Sequence, residues 1–370
     1  MISVFGSLVG DEEIKNVSSV LESQWLGLGA KVDEFEASFA QKYKINNFTM
    51  VDSGSNALFM ACELLNLKAG SEIILPSYTW VSCAQAVMLA GLTPVFCDVD
   101  LKTMNVTAES IRVKVTKKTG AIMVVHYAGL PVELDPIIDL GFPIIEDAAH
   151  AVASQYKSRP CGNIGDVGIF SFDAVKNLTC AEGGGVAVRN IELHNRARTL
   201  RYCGIGKSGF ENAASNNSNE RWWEYNIPEN FIKMLPNNIT ASIGLGQLQK
   251  IDDLQETRKR LWDLYSKRLS QVEGIEIPID APAHMTHSYF TYAIRCQDRD
   301  NLARYLLEND VYTTLRYHPL HLNPIFNSTD VKLKNTEILN ETALSLPLHP
   351  RLTSNDVEFV CDKIEKFYLR

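Results

Sequence analysis

The sequence has no Cys-x-x-Cys pair, no long apolar run and no block of like charges. Its eight cysteines are scattered, which argues against both a zinc site and a disulfide framework. No stretch approaches the roughly 18 consecutive apolar residues of a membrane-spanning helix. The first residues also lack a basic leader followed by an apolar segment. We therefore expect a cytoplasmic protein with no metal, no membrane association and no disulfide scaffold.

The charge balance is mildly acidic, with a net charge of -8 from 36 Lys and Arg against 44 Asp and Glu. A nucleic-acid or membrane-binding surface has no support, so small molecules are the expected ligands. The chain has 370 residues, of which 45% are hydrophobic, and single cores rarely grow past roughly 250 to 300 residues. We therefore predict two domains, an N-terminal arm with a large domain over 1–245 and a linking helix with a smaller domain over 246–370.

Seven short apolar runs alternate with helix-like stretches between about residues 47 and 190, which predicts an α/β domain with a wound sheet. Ligands of such sheets collect at the carboxyl ends of the strands. Three polar clusters follow such runs and are expected to share one crevice: Asp52–Asn56, Pro76–Trp80, and Asp147 with His150. The seven runs are 48–51, 72–75, 94–97, 121–125, 143–146, 167–171 and 185–188.

The second half of the chain begins with a predicted long helix, which Asn237 and Asn238 cap and whose apolar spacing continues to about Leu269. A smaller α+β unit follows. We expect a strand at 289–295, a helix at 299–308 and a last helix that begins near 353–354. The polar stretch 212–220 is predicted to be a loop.

Lys176 and Asp147 carry the chemical hypothesis. Lys176 follows an apolar run and precedes the glycines 183–185, so it is predicted to point into a cleft that lowers its pKa. Asp147 ends another apolar run, where a buried carboxylate needs a cationic partner. Pyridoxal phosphate requires a lysine that reaches its aldehyde and an acid that holds its ring nitrogen protonated. Taken singly, a solvated lysine and a capping or salt-bridged aspartate are the alternatives.

The segment Ser53–Asn56 offers a phosphate site, because it places free backbone N–H groups at a helix N-terminus and Gly54 permits close approach. The hydroxyl of Ser171 is a further possible donor. The alternative is a tight strand-to-helix turn with a serine cap.

Two aromatic side chains complete the candidate site. Trp80 is positioned to stack on a flat ring, with core or interface packing as the alternative. His150 is expected to bond the phenolic oxygen of the cofactor or to orient Asp147, and a surface histidine is the alternative.

These motifs, in this order and spacing, resemble the DegT/DnrJ/StrS-type sugar aminotransferase family of fold-type-I pyridoxal phosphate enzymes. The resemblance covers nearly the whole chain. It rests on the segments 25–29, 32–36, 53–58, 76–80, 98–100, 126–131, 146–150, 171–176, 182–184, 319–321 and 345–348.

The resemblance implies a large domain with a seven-stranded, mostly parallel sheet and a smaller C-terminal α+β domain. It also implies a homodimer with active sites at the subunit interface. The expected reaction moves an amino group from glutamate to a keto group of a nucleotide-linked deoxysugar. The segment 179–184 favours C4 over C3. The product would be an amino sugar of a natural product or of a surface polysaccharide such as the O-antigen of lipopolysaccharide.

Site residues follow from the same resemblance. Lys176 would carry pyridoxal 5'-phosphate and move the proton, and Asp147 would pair with the pyridine nitrogen. Two alternatives stay open: a dehydratase on a similar sugar, although such relatives replace the lysine by histidine, and a regulatory protein without turnover. The further cofactor contacts implied are Trp80 on the ring, Gly54, Ser55 and Ser171 on the phosphate, His150 near the phenolic oxygen, and Asn238 reaching the phosphate of a partner subunit.

The segment Arg221–Trp223 is a candidate contact for the nucleotide or the sugar. Packing at the subunit interface is the alternative. The role of Asp173, close to Lys176 in sequence, is left open.

Overall fold

The computed structural model describes residues 1–206, 221 and 223–369, so the loop predicted at 212–220 lies outside the described residues. All seven predicted strands of the main sheet are present, within a residue or two of the predicted bounds. The strands are β1 (Ile2–Ser3), β2 (Phe48–Val51), β3 (Glu72–Pro76), β4 (Thr93–Cys97), β5 (Thr119–Val125), β6 (Ile144–Asp147), β7 (Gln155–Tyr156), β8 (Arg159–Pro160), β9 (Val167–Ser171), β10 (Gly184–Val188), β11 (Ile275–Glu276), β12 (Met285–Thr286), β13 (Tyr292–Cys296), β14 (Val311–Tyr312) and β15 (Ala343–Leu346).

Helices cover both faces of this sheet and build most of the C-terminal unit. The α-helices of the described residues are α1 (Asp11–Glu22), α2 (Ala30–Tyr43), α3 (Gly54–Leu64), α4 (Ser82–Leu89), α5 (Ala108–Arg112), α6 (Asp135–Ile138), α7 (Ile191–Arg201), α8 (Asn238–Gln249), α9 (Ile251–Leu269), α10 (Arg299–Glu308), α11 (Lys334–Thr342) and α12 (Ser354–Tyr368).

The main sheet has the strand order β2-β10-β9-β6-β5-β3-β4. Strand β10 runs antiparallel to β2 and β9, and the other neighbours are parallel. The register pairs Asp147 at the end of β6 with Val125 of β5 and Ile169 of β9. The carboxyl ends of three adjacent parallel strands therefore meet at one edge, with Asp147 in the middle.

Both faces of the sheet are buried, which explains why its strands read as continuous apolar runs. Strand β2 shows the division, because Val51 packs into the core under α3 whereas Phe48 and Met50 pack on the opposite side. That second side is filled by aromatic rings in edge contacts, among them Phe35 and Phe39 of α2 against Phe172. The large domain is thus a sheet between two helical layers.

The C-terminal unit has its own core around the antiparallel sheet β11-β13-β15, packed by α9, α10 and α12. The start of the chain joins this unit, since β1 pairs in parallel with β14 and the Val4 N–H donates to the Tyr312 carbonyl at 3.1 Å. The predicted domain boundary at 245/246 falls inside α8, and the division stays a prediction. No helix in the described ranges is long and apolar enough to cross a membrane.

One predicted element is wrong in detail. The single helix expected from Asn238 to Leu269 is two helices, α8 and α9, separated at Lys250, whose backbone leaves the helical region (φ -106°, ψ 9°). The Lys250 ammonium reaches back to pair with the buried Glu13 at 2.7 Å. Apolar spacing continues across the break, so the pattern alone does not reveal it. Asn237 does cap α8, accepting from the Thr240 N–H at 3.0 Å.

Candidate active site

A cavity of about 450 Å³ opens at the carboxyl edge of the main sheet. It brings together seven of the eight predicted site residues, and Asn238 is the exception. The predicted residues that line it are Gly54, Ser55, Trp80, Asp147, His150, Ser171 and Lys176; further lining residues are Phe5, Ser53, Thr79, Ser82, Asp173, Glu182, Arg316 and Tyr317.

Asp147 ends β6 with its side chain 4% exposed. Its Oδ1 accepts from the Ala149 N–H at 2.9 Å, and its Oδ2 accepts from the Cys83 thiol at 3.1 Å. No Lys, Arg or His in the described part of the chain forms an ion pair with it, so the salt-bridged alternative is not observed. A buried carboxylate with two neutral donors still lacks the cation that its charge favours.

A second buried acid, Glu146, holds the strand that carries Asp147. Glu146 accepts from the backbone N–H groups of Gly162 and Ile164 at 3.0 and 2.6 Å, and it pairs with His126 at 3.0 Å. Because adjacent residues of a strand face opposite sides, Glu146 anchors β6 from behind while Asp147 faces the cavity. Sequence reasoning recorded this acid but gave it no role.

Lys176 lies on a loop that leaves β9 and folds back on itself. The Lys176 N–H donates to the Asp173 carbonyl at 3.0 Å, and the Asn177 side chain donates to the Ser288 carbonyl at 2.7 Å. The Nζ atom of Lys176 lies 4.9 Å from the centroid of the Phe290 ring. Burial and the nearby Arg316 lower the pKa of Lys176 to about 8, against the opposing charges of Asp147 and Asp173.

This lowered pKa makes the nucleophilicity of Lys176 depend on pH near neutrality. In the cofactor-free protein we expect carbamoylation of Lys176 by cyanate to be half-maximal near pH 8, whereas a reference lysine titrates at about 10.4. Only the neutral amine reacts, so the rate rises as the pH passes through that value. Peptide mass spectrometry measures the modified fraction at each pH. A profile that still climbs steeply at pH 10 contradicts the expectation.

The phosphate candidate is a helix N-terminus in close contact with β9. Ser53 caps α3 by accepting from the Asn56 N–H at 3.2 Å, so the capping alternative describes Ser53 correctly. A Cβ on Gly54 would lie 2.7 Å from Cβ and 2.8 Å from Oγ of Ser171. The helix terminus therefore meets the Ser171 hydroxyl at a distance that only glycine permits. Ser55 adds a second hydroxyl, which is bonded to that of Ser82 at 2.8 Å.

The glycine-rich segment after Lys176 also allows two stretches of backbone to lie close together. A Cβ on Gly184 would lie 2.3 Å from the Ser53 carbonyl oxygen, so β10 passes directly beneath the start of α3. Gly184 therefore permits a backbone contact that any other residue would block.

His150 lines the cavity without contacting Asp147. Its ring stacks on Phe290, with centroids 4.0 Å apart, and its Nε2 is hydrogen-bonded to the Tyr317 hydroxyl at 3.0 Å. Its Nδ1 is buried and has no hydrogen-bond partner within the described ranges. Burial, with the charges of Lys176 and Arg316, holds the pKa of His150 well below its usual range. The ring is neutral at pH 7, and Nδ1 is available to a ligand.

Trp80 is 53% exposed at the mouth of the cavity. Its ring is tilted against that of Tyr317, with centroids 5.6 Å apart. An indole left this open on one side offers a surface to a flat ring. The predicted stacking role of Trp80 stays a prediction.

Asn238 lies outside the cavity, beside residues 25–32. Its Nδ2 donates to the Trp25 carbonyl at 3.1 Å, and its Oδ1 accepts from the Lys31 N–H at 3.1 Å. Both side-chain groups thus have partners within the chain, and the proposed contact with a partner subunit's phosphate stays a prediction.

The segment Arg221–Trp223 is described only in part. Arg221 forms an exposed ion pair with Glu224 at 2.9 Å, and Trp222 lies outside the described residues.

Sequence reasoning missed several cavity residues, all from distant segments. Phe5 arrives with the N-terminal strand, and Arg316 and Tyr317 follow β14. The quoted Pro319–His321 motif, two residues after Tyr317, was the one local signal. Cys83 contacts Asp147, whereas Cys180, which is closer to Lys176 in sequence, is fully buried and packs against α8. All eight cysteines are free thiols.

The chain is similar to several known proteins in sequence and in fold. The profile of the DegT/DnrJ/EryC1/StrS aminotransferase family matches residues 8–365. The chain is 36% identical to a dTDP-4-dehydro-2,3,6-trideoxy-D-glucose 4-aminotransferase of Saccharopolyspora spinosa, covering 99% of this chain and 96% of that one. It also resembles the crystal structure of the aminotransferase TlmJ from Streptoalloteichus hindustanus, with a TM-score of 0.92, 38% identity and coverage of 99% and 98%. The sugar aminotransferase CalS13 from Micromonospora echinospora gives a TM-score of 0.91 at 25% identity, with coverage of 99% and 100%.

Proposed function

Because the chain belongs to the DegT/DnrJ/EryC1/StrS aminotransferase family, we propose that it moves an amino group from glutamate to the C4 keto group of a nucleotide-linked deoxysugar. The observation that carries the proposal is the convergence of Lys176 and Asp147 on one cavity. The similarity to the 4-aminotransferase of Saccharopolyspora spinosa supports a dTDP-linked 4-keto sugar. The product would be an amino sugar of a surface polysaccharide or a natural product.

The cavity residues fit pyridoxal 5'-phosphate. Asp147 lacks a cationic partner, Nδ1 of His150 lacks any partner within the described ranges, and Gly54 leaves room beside Ser171. The cofactor, when bound, supplies an electron sink for negative charge on the α-carbon of the donor. The residues that would hold it are Lys176 at the aldehyde, Asp147 at the ring nitrogen, Trp80 on the ring face, His150 at the phenolic oxygen, and Gly54, Ser55 and Ser171 at the phosphate.

Lys176 performs the proton transfer in this proposal. With a pKa of about 8, Nζ gains and loses a proton near neutral pH at little cost. The neutral amine accepts the proton from the donor's α-carbon, and the ammonium then gives it up at the other end of the transfer. Asp147 is held in place by two hydrogen bonds, because the Ala149 N–H and the Cys83 thiol both donate to its carboxylate.

We also propose a homodimer. Large apolar side chains on and after α1 are exposed in the single chain, including Ile14, Leu21 and Leu26. Exposed apolar side chains that lie together mark protein interfaces. Sedimentation at micromolar concentration measures the mass of the particle. We expect the mass of a dimer for the wild type and the mass of a single chain for Leu21→Glu, and a single-chain mass for the wild type contradicts the proposal.

The activity is tested in two half-reactions. L-Glutamate added to the cofactor-loaded protein is expected to yield pyridoxamine 5'-phosphate and 2-oxoglutarate. The aminated enzyme is then offered UDP-, dTDP- and GDP-linked keto sugars, and product mass and NMR identify the sugar and the carbon. A dehydratase would release water from the sugar without net conversion of glutamate, and a regulatory protein would convert neither substrate. Either outcome overturns the proposal.

The phosphate site is tested by Gly54→Ala. The added methyl displaces the Ser171 side chain, so we expect affinity for pyridoxal 5'-phosphate to fall about 10- to 100-fold, the usual effect of losing a hydrogen bond to a charged group. Fluorescence titration measures the dissociation constant. Pyridoxal without its phosphate should bind both proteins equally. Gly27→Ala, whose Cβ meets no atom within 4 Å, is the matched control, and equal losses in both variants contradict the assignment.

A further inference from the structure

Arg316 is a buried cation with no anionic partner. Its side chain is 6% exposed and lines the cavity, and no acid in the described ranges forms an ion pair with it. The guanidinium lies between two aromatic rings, 4.7 Å from the centroid of Phe290 and 5.0 Å from that of Phe5. Its Nε is buried without a hydrogen-bond partner in the same ranges. Buried guanidinium groups are ordinarily paired or fully hydrogen-bonded, so this one awaits a ligand.

The surroundings of Arg316 are strongly cationic. Lys176 lies 4.9 Å from the centroid of the same Phe290 ring. The buried Arg258 is a further cation near Arg316, and burial together with Arg316 lowers the pKa of Arg258 to about 9. Within the described ranges, the guanidinium of Arg258, unlike that of Arg316, has backbone hydrogen-bond acceptors: it donates to the carbonyls of Phe290 and Leu348 at 3.3 and 2.9 Å. Arg316 is therefore the cation of this group that still has donors to offer.

We propose that Arg316 binds the α-carboxylate of the amino-acid donor. This inference rests on the proposed function and deepens it. The donor nitrogen must come to the position that Lys176 occupies, and its α-carboxylate is attached to the next carbon. That carboxylate must therefore lie within a few ångströms of Nζ, and Arg316 lines the same cavity and contacts the same Phe290 ring as Lys176. The planar fork of arginine matches a carboxylate with two parallel hydrogen bonds.

The two flanking rings explain how one cavity serves two substrates. Phe5 and Phe290 both make cation–π contacts with the guanidinium. When the acceptor sugar, which has no carboxylate at its reacting carbon, replaces the donor, cation–π contacts still stabilise the bare charge. Phe5 is held in place by the β1–β14 pairing and by its contact with Tyr312, with ring centroids 6.0 Å apart.

A phosphate group is a weaker candidate for this position. In the proposed arrangement the cofactor phosphate already has donors at Gly54, Ser55 and Ser171, which line the same cavity. The diphosphate of a nucleotide sugar is separated from the reacting carbon by the sugar ring, whereas Arg316 lies beside Lys176.

The test compares three donors in the first half-reaction of the loaded enzyme: L-glutamate, 4-aminobutyrate, which lacks the α-carboxylate, and L-2-aminobutyrate, which lacks the γ-carboxylate. Arg316→Gln is expected to lower the second-order rate constant about 100-fold for L-glutamate and for L-2-aminobutyrate, mainly through weaker binding. The constant for 4-aminobutyrate should change less than about 3-fold. For Arg316→Lys, which keeps the charge but lacks the planar fork, the rate constant for L-glutamate should lie between those of wild type and Arg316→Gln. The exposed Arg304→Gln is the control, and its rate constants should equal those of wild type.

A second measurement does not depend on turnover. Glutarate, a dicarboxylate without an amine, should bind the cofactor-free wild type about 10-fold or more tightly than Arg316→Gln by calorimetry. The second half-reaction, with pyridoxamine 5'-phosphate and the keto sugar, should keep its rate within about 3-fold in the variant.

Three outcomes for Arg316→Gln overturn the inference. The first is an equal fall of the rate constants for all three donors, and the second is a selectivity among the donors that stays that of wild type. The third is a fall in the rate of the second half-reaction as large as that in the first, which would mark a structural role. Failure of the proposed function looks different, because then the wild type converts its cofactor with none of the amino acids. Circular dichroism of both Arg316 variants establishes that they fold.

Discussion

Lys176→Ala is expected to lower the rate of amino-group transfer by about 10⁴-fold or more, because one side chain supplies both the covalent link and the proton carrier. The loop around Lys176 is held by backbone bonds at Asp173 and by the Asn177 side chain. Removing the amine therefore leaves the cavity in place. Single-turnover kinetics with L-glutamate measure the loss, and the absorption band of the cofactor–lysine link near the edge of the visible range should disappear.

The control for this variant is Lys259→Ala, which removes an exposed lysine paired with Asp263. Its activity should match wild type. Added methylamine should restore part of the proton transfer in Lys176→Ala, because a small amine can enter the space that the side chain leaves. An unchanged spectrum in Lys176→Ala would remove Lys176 from the proposed chemistry.

The second large effect is expected for Asp147→Asn, a loss of about 10³-fold in turnover. The amide keeps the size of the carboxylate, and its oxygen can still accept from the Ala149 N–H or the Cys83 thiol. It carries no charge, so it cannot hold a proton on the ring nitrogen of the cofactor. Steady-state kinetics measure kcat, and absorbance spectra against pH report the protonation of the bound ring.

Asp173→Asn provides the matched control, because Asp173 also lines the cavity but accepts from the Val175 N–H at 3.0 Å. We expect it to cost less than about 10-fold, since it acts on Lys176 only through its charge. An equal loss of kcat in Asp147→Asn and Asp173→Asn would show that either acid contributes the same amount to turnover. That result would contradict a specific role for Asp147.

Local sequence patterns were sufficient for the large domain. Apolar runs of four or five residues that end in polar sequence identified every strand of the main sheet, because both faces of that sheet are buried. The same patterns located Gly54, Asp147 and Lys176, since each lies at or shortly after the carboxyl end of a strand and parallel strands end at one edge. The C-terminal unit was predicted less sharply, with the strand expected at 289–295 found at 292–296 and the long helix interrupted at Lys250.

The sequence alone therefore determined the sheet, the loops at its carboxyl edge and the chemical character of Lys176 and Asp147, because strand periodicity and helix termini are local properties. Only the tertiary structure decided which remote side chains close the cavity. Phe5, Cys83 and Arg316 come from three separated segments and converge through the β1–β14 pairing and the packing of α4 and the C-terminal unit on the sheet. No periodicity links residue 5 to residue 316, because a contact between distant segments depends on how whole layers pack.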